Sequence, residues 1–211
     1  MKKTILIIAF VLVCIPPAFS LEFNAGGTLG YSYTNYGMEL TETSFSGGLE
    51  SEIHSYNITA LADITYCRLG IGYTRNFSDI KVSGTGDFSG NSITLKKADV
   101  SFMNLTAVAK YPFKTLDGQV NLWPAIGLGY DINLTNRAEG DTWVPNPDLN
   151  DLYLLLGGGV DYNLNSDWAL ALSFIYGYNL TPKASKDNLV PVSAKYSGYK
   201  LNLNFGVLFR I

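Results

Sequence analysis

The sequence predicts an all-β fold: a transmembrane antiparallel up-and-down β-barrel of eight strands. Three observations lead there. Apolar residues recur at every second position over long stretches, the residues between them are small or polar rather than charged, and long and short connections alternate.

Residues 1–20 stand apart from this pattern. Lys2 and Lys3 form a basic start, Ile5 to Ile15 an apolar run, and Ala18-Phe19-Ser20 a small-residue cleavage region. This is the layout of a secretory signal peptide, removed on export. The run is shorter than the ~20 residues a spanning helix needs. A lipoprotein signal would use Cys14, but Val13 stands where a small residue would be expected before it. Residues 21–211 are therefore the expected barrel domain.

Composition narrows the function classes. Setting Lys2 and Lys3 aside leaves 13 basic against 18 acidic residues, a net charge of −5, which argues against nucleic acid as a partner. Only Cys67 remains after residue 20, so neither an internal disulfide nor a cysteine metal site is expected. Mean hydropathy is slightly positive. Only 16% of residues are charged, against about 25% in an ordinary soluble domain.

The strands are clearest in the C-terminal half. Val120, Leu122, Pro124, Ile126, Leu128, Tyr130, Ile132 and Leu134 alternate with Asn121, Trp123, Ala125, Gly127, Gly129, Asp131 and Asn133. The same alternation runs from Trp168 to Leu180 and from Tyr199 to Ile211. A period of two is that of a β-strand. Weaker versions place strands at 22–36, 54–64, 66–77, 98–113, 119–135, 151–163, 167–181 and 197–211. The turn between the second and third is placed near Asp63 to Tyr66 on length alone.

Which face is apolar decides between a soluble and a membrane barrel. A soluble barrel buries its apolar set and charges the other face; a membrane barrel turns the apolar set to lipid and fills its interior with the second set. Here the second set is mostly Gly, Ala, Asn and Thr, with Gly26, Gly30, Gly127, Gly129, Gly157, Gly159 and Gly206 among them. Glycine weakens a solvated strand but suits a crowded interior. Aromatic residues sort to two depths on the outward face, Phe23, Tyr111, Phe113, Tyr162, Trp168 and Phe209 at one edge and Tyr31, Tyr33, Tyr56, Tyr73, Tyr130, Tyr176, Tyr178 and Tyr199 at the other. Such girdles mark the two interfaces of a bilayer. Long connections at 37–53, 78–97, 136–150 and 182–196 alternate with short ones near 64–65, 114–118 and 163–166. That is the expected asymmetry of extracellular loops and periplasmic turns.

The C-terminal run Asn204-Phe205-Gly206-Val207-Leu208-Phe209-Arg210-Ile211 resembles the assembly signal read by the barrel assembly machinery of the outer membrane. Asn204, Gly206, Phe209 and Ile211 occupy its polar, glycine and two hydrophobic places; Ile211 departs from the usual terminal aromatic. Lys110-Tyr111-Pro112-Phe113, Trp123 to Tyr130, and Gly157 to Tyr162 followed by Trp168 resemble segments of small eight-stranded outer-membrane proteins, the OmpA membrane domain, OmpX-Ail and OmpW class. The resemblance implies a cell outer-membrane location in a diderm bacterium, lipid as surroundings and a monomer.

Inward parity places Asp63, Arg68, Lys110, Asp131, Asp161, Lys200 and Arg210 in the lumen, either as a structural network or as a gate. The loops carry Trp143, Val144 and Pro145 beside Glu139 and Asp141, a candidate contact for a host or surface ligand. No spaced calcium-loop pattern is present, so no metal site and no cofactor are expected. His54 is the only histidine, next to Ser55 and near Glu52; without recognisable spacing it does not predict a catalytic triad. The expected function is a non-enzymatic surface barrel that presents loops for adhesion, host interaction or envelope integrity. Alternatives are a narrow OmpW-like channel for small molecules, hydrophobic ones included, and an outer-membrane lipid-modifying enzyme resting on His54.

Overall fold

Strands build the whole of the computed structural model, which describes residues 22–41, 46–96, 98–115, 118–137, 150–181, 184–186 and 193–211. They are β1 (Phe23–Thr41), β2 (Ser46–Ile64), β3 (Cys67–Asn76), β4 (Ile80–Gly86), β5 (Ser92–Leu95), β6 (Asp99–Lys110), β7 (Phe113–Thr115), β8 (Val120–Arg137), β9 (Asp151–Asn163), β10 (Trp168–Asn179), β11 (Ala184–Lys186) and β12 (Ser193–Arg210). Eight of them form the wall in the order β1-β2-β3-β6-β8-β9-β10-β12, each antiparallel to the next. The last pairs back on the first, from Asn24–Arg210 to Thr41–Ser193, and closes the sheet. Closure leaves the wall no unpaired edge, the condition for a β structure in lipid.

Alternation sets the two faces. Leu29, Ile71, Phe174 and Phe205 point outward and are each more than half exposed. Thr28, Ser32, Asn57, Ser173 and Asn133 point inward and are buried. A soluble domain has the opposite arrangement. The outward aromatics gather as the sequence predicts, with Trp168 against Phe209 and Tyr111 against Phe113, each pair 4.9 Å between ring centroids.

The wall strands agree with the sequence reading at the end that holds both termini, and at the other end β1, β2, β8 and β12 outrun it. The sequence reading makes residues 37–53 a loop. Instead β1 and β2 stay paired to Thr41–Ser46. Residues 78–97 contain the β4–β5 hairpin, with β4 continuing beside β2 from Glu52–Lys81 to Gly47–Gly86. Gly86 and Gly90 take φ of +61° and +87° around its turn, a region open to glycine. Residues 182–196 contain β11 and the start of β12. Ile53 and Ile80 still pack inward here, but the outward positions of these extensions are small or polar, so the apolar parity that marks the wall is lost.

One expected strand is interrupted. Residues 98–113 divide into β6 and β7 at Tyr111-Pro112, although the register runs straight across from Lys110–Ala125 to Phe113–Leu122. Pro112 and Pro124 face this gap from the two sides, and neither has an N–H to donate. Only Tyr111 N to Pro124 O, at 3.2 Å, bridges it. The turn between β2 and β3 falls at Thr65-Tyr66, inside the expected span.

Candidate functional site in the barrel lumen

Two layers of side chains cross the lumen. The lower layer is built from β2, β3, β6, β8 and β9. Arg68 donates from Nε to Asp63 Oδ2 at 2.6 Å and from Nη2 to the same oxygen. Its Nη2 also lies 3.1 Å from both oxygens of Asp161. Lys110 Nζ is 2.6 Å from Asp63 Oδ1 and 3.8 Å from Asp161 Oδ2. Two cations and two carboxylates thus neutralise one another out of water, the arrangement a buried charge requires. Trp123 forms the other side of the layer, with the Arg68 guanidinium 4.4 Å and the Lys110 ammonium 5.6 Å from its ring. The indole fits because residue 159 is glycine; a Cβ there would overlap the ring.

The upper layer is half ionic and half apolar. Lys200 on β12 donates to both oxygens of Asp131 on β8 at 2.8 Å. Asn104 Nδ2 donates to Asp131 Oδ1 at 2.8 Å and is itself held by Thr74. The Lys200 ammonium lies 4.1 Å from the ring of Tyr153, which is fully buried. Tyr153 OH donates towards Asp151 Oδ2 at 3.4 Å. Across the lumen Ile53, Ile80 and Val100 pack with Phe102 and Tyr36. The Tyr36 hydroxyl reaches the Tyr153 hydroxyl at 3.2 Å and joins the halves.

Six of the seven lumen residues proposed from the sequence are buried in these layers: Asp63, Arg68, Lys110, Asp161, Asp131 and Lys200. Arg210 is not among them. Its side chain is 39% exposed at the rim that holds both termini, 3.5 Å from Glu22 Oε2, with Lys114 Nζ 3.3 Å from Glu22 Oε1. It has the inward parity but is the last residue of its strand, level with the barrel mouth.

No family model matches the chain, and no curated protein matches it either. Solved structures do. OprG of Pseudomonas aeruginosa is 11% identical with a TM-score of 0.54, covering 89% of this chain and 95% of its own. A major outer membrane protein of Thermus thermophilus is 14% identical with a TM-score of 0.45, covering 86% and 99%. Neisserial surface protein A is 16% identical with a TM-score of 0.38, covering 82% and 95%. The closed sheet, its lipid-type outer face and the OprG likeness agree on the fold. The chain is an eight-stranded β-barrel of the outer-membrane type.

The remaining sequence candidates fall at different places on this barrel. His54 faces outward, its Nδ1 2.5 Å from the Tyr31 hydroxyl, among the rings of Tyr31, Tyr33 and Phe77. Ser55 points into the lumen and is buried, while Glu52 accepts from Tyr33 OH at 3.3 Å. The wall therefore separates the histidine from the serine. Asn204 and Gly206 face inward on the β12 seam, Phe209 packs on Trp168, and Ile211 N donates to Phe23 O at 2.9 Å. Trp143, Val144 and Pro145 lie outside the described residues.

Sequence reasoning passed over Tyr36, Trp123, Asp151 and Tyr153 as lumen groups. Parity held the signal, since each shares the inward set of its strand; three are not obviously polar, and Asp151 opens its strand.

Proposed function

We propose that the protein is a non-enzymatic surface barrel with a closed lumen, working through its extracellular hairpins in adhesion, host interaction or envelope integrity. The observation that carries this reading is the pairing of every one of the six buried lumen charges named above, in two layers across the lumen. An eight-stranded wall leaves an interior that side chains can fill. The unbroken pairing of β1 with β2 to Thr41–Ser46 supports it from the other side. A tilted strand crosses a bilayer in about 9–11 residues, whereas these strands have 19 each, so nearly half of each is available to stand outside as a rigid platform. The segment 136–150, with Trp143, Val144 and Pro145, is the proposed contact on that side, and the C-terminal Asn204, Gly206, Phe209 and Ile211 are the proposed contact with the assembly machinery.

The test is surface display on a non-adherent bacterium, counting cells retained on an epithelial layer. Replacing 136–150 by a short Gly-Ser linker should abolish retention while the barrel still folds. Unchanged retention would remove the segment from the function.

A second reading, a narrow channel for small molecules, is favoured by one feature, a cavity of about 100 Å³ in the lumen. Bilayer conductance and uptake by liposomes distinguish it.

A further inference from the structure

The cavity lies between the two layers. Arg68 and Trp123 of the lower layer border it, as do Asp131, Lys200 and Tyr36 of the upper layer. Thr28, Thr59, Thr106 and Ser173 are among its lining residues. Two buried polar atoms on its lining lack a protein partner: the Trp123 indole Nε1–H and the Asn57 carboxamide Oδ1. Those residues are 2% and 5% exposed. A buried donor and a buried acceptor left unsatisfied are costly, and native interiors supply them with partners. One water needs roughly 10–15 Å³ of such volume and two to four polar partners; this cavity, at about 100 Å³, has several times the space, and polar residues among its lining.

We infer that the cavity binds a small cluster of water molecules, anchored by Trp123 Nε1 and the Asn57 carboxamide, in a chamber closed by two seals in series. The lower seal is the Asp63-Arg68-Lys110-Asp161 layer on Trp123. The upper seal is the Asp131-Lys200 pair with Tyr153, Tyr36 and the apolar group around Ile53. The inference rests on the closed lumen proposed above. Opening the upper seal alone lets solute from outside reach the chamber but not cross it. Passage requires both seals open.

Ser173→Cys in a Cys67→Ala chain puts a reporter thiol on the chamber wall. The probe is a charged, membrane-impermeant methanethiosulfonate added outside whole cells. With both seals intact the thiol should stay unlabelled. With Tyr36→Ala and Tyr153→Ala, which remove two rings and leave the Asp131–Lys200 pair and the lower layer in place, labelling should rise on the order of tenfold or more, because the reactive thiolate needs water. Conductance in a planar bilayer should stay absent until Asp63→Ala and Arg68→Ala are added. A folded upper-seal variant that labels no faster overturns the chamber. Conductance from that variant alone overturns the lower seal. Conductance of the unaltered protein would instead sink the closed-lumen reading beneath the inference. A measurement that needs no variant is magnetisation transfer from water to the Trp123 indole proton in the folded protein. A strong transfer is expected, and its absence contradicts the water cluster.

Discussion

The hydroxyl of Tyr36 on β1 lies 3.2 Å from that of Tyr153 on β9, three strands away round the wall. Tyr36 belongs to the apolar half of the upper layer and Tyr153 to the ionic half, so this contact ties the two together. Tyr36→Phe and Tyr153→Phe should each destabilise the barrel by about 0.5–1.5 kcal/mol, and the double variant by less than the sum. Urea titration of the protein in lipid vesicles, run as a double-mutant cycle, checks this. Strict additivity would mean that the contact contributes nothing.

Asp63 is held by Arg68 and Lys110 together. Asp63→Ala leaves those two cations with Asp161 alone. The expected loss is about 3–5 kcal/mol, the usual result of breaking a buried charge network from one side. Replacing Asp63 and Arg68 together should cost less than Asp63→Ala, since Lys110 and Asp161 remain to pair. The same titration decides it; equal losses would mean that the uncompensated charge is not the cause.

Much of the wall was legible because lipid outside makes alternation strict. From Val120 to Leu134 no outward position carries a charge or an amide, and β8 follows directly. The signal fades where the solvent changes. Residues 37–41 and 46–53 are paired strand, yet their outward positions, Gly37, Glu39, Glu50 and Glu52 among them, are small or charged, so no apolar parity marks them although Ile53 packs inward. The membership of the lumen was legible by parity, but its pairings were not. Arg68 and Asp161 are 93 residues apart in sequence, and Lys200 and Asp131 are 69 apart. Which of them meet depends on the stagger of the closed barrel. Trp123 and Tyr153 escaped notice for another reason. An aromatic ring in a membrane barrel is ordinarily lipid-facing, and these two face inward over cations.

Gly159 lies under the Trp123 indole, where a side chain would overlap Cζ2 and Cε2 of the ring. Gly159→Val should force the ring and the lower layer to move, with a cost of about 1–3 kcal/mol as in other overpacked interiors. Heat-dependent gel mobility and urea titration report it. A variant as stable as the parent would show that both the ring and the Leu172 carbonyl, which the added Cβ would also overlap, have room to shift.

His54 and Ser55 lie on opposite sides of the wall. His54→Ala should therefore leave the lipid composition of the outer membrane unchanged, as mass spectrometry of extracted lipids would show. A missing lipid species in the variant strain would revive an enzymatic role.

Single-channel recording of the refolded protein in a planar bilayer decides whether the lumen is closed. A heat-dependent gel shift first confirms the folded barrel. Two filled layers with their charges paired call for a silent bilayer across the voltage range. Steady discrete openings from the unaltered protein would mean that a continuous path passes both layers and that the lumen is open.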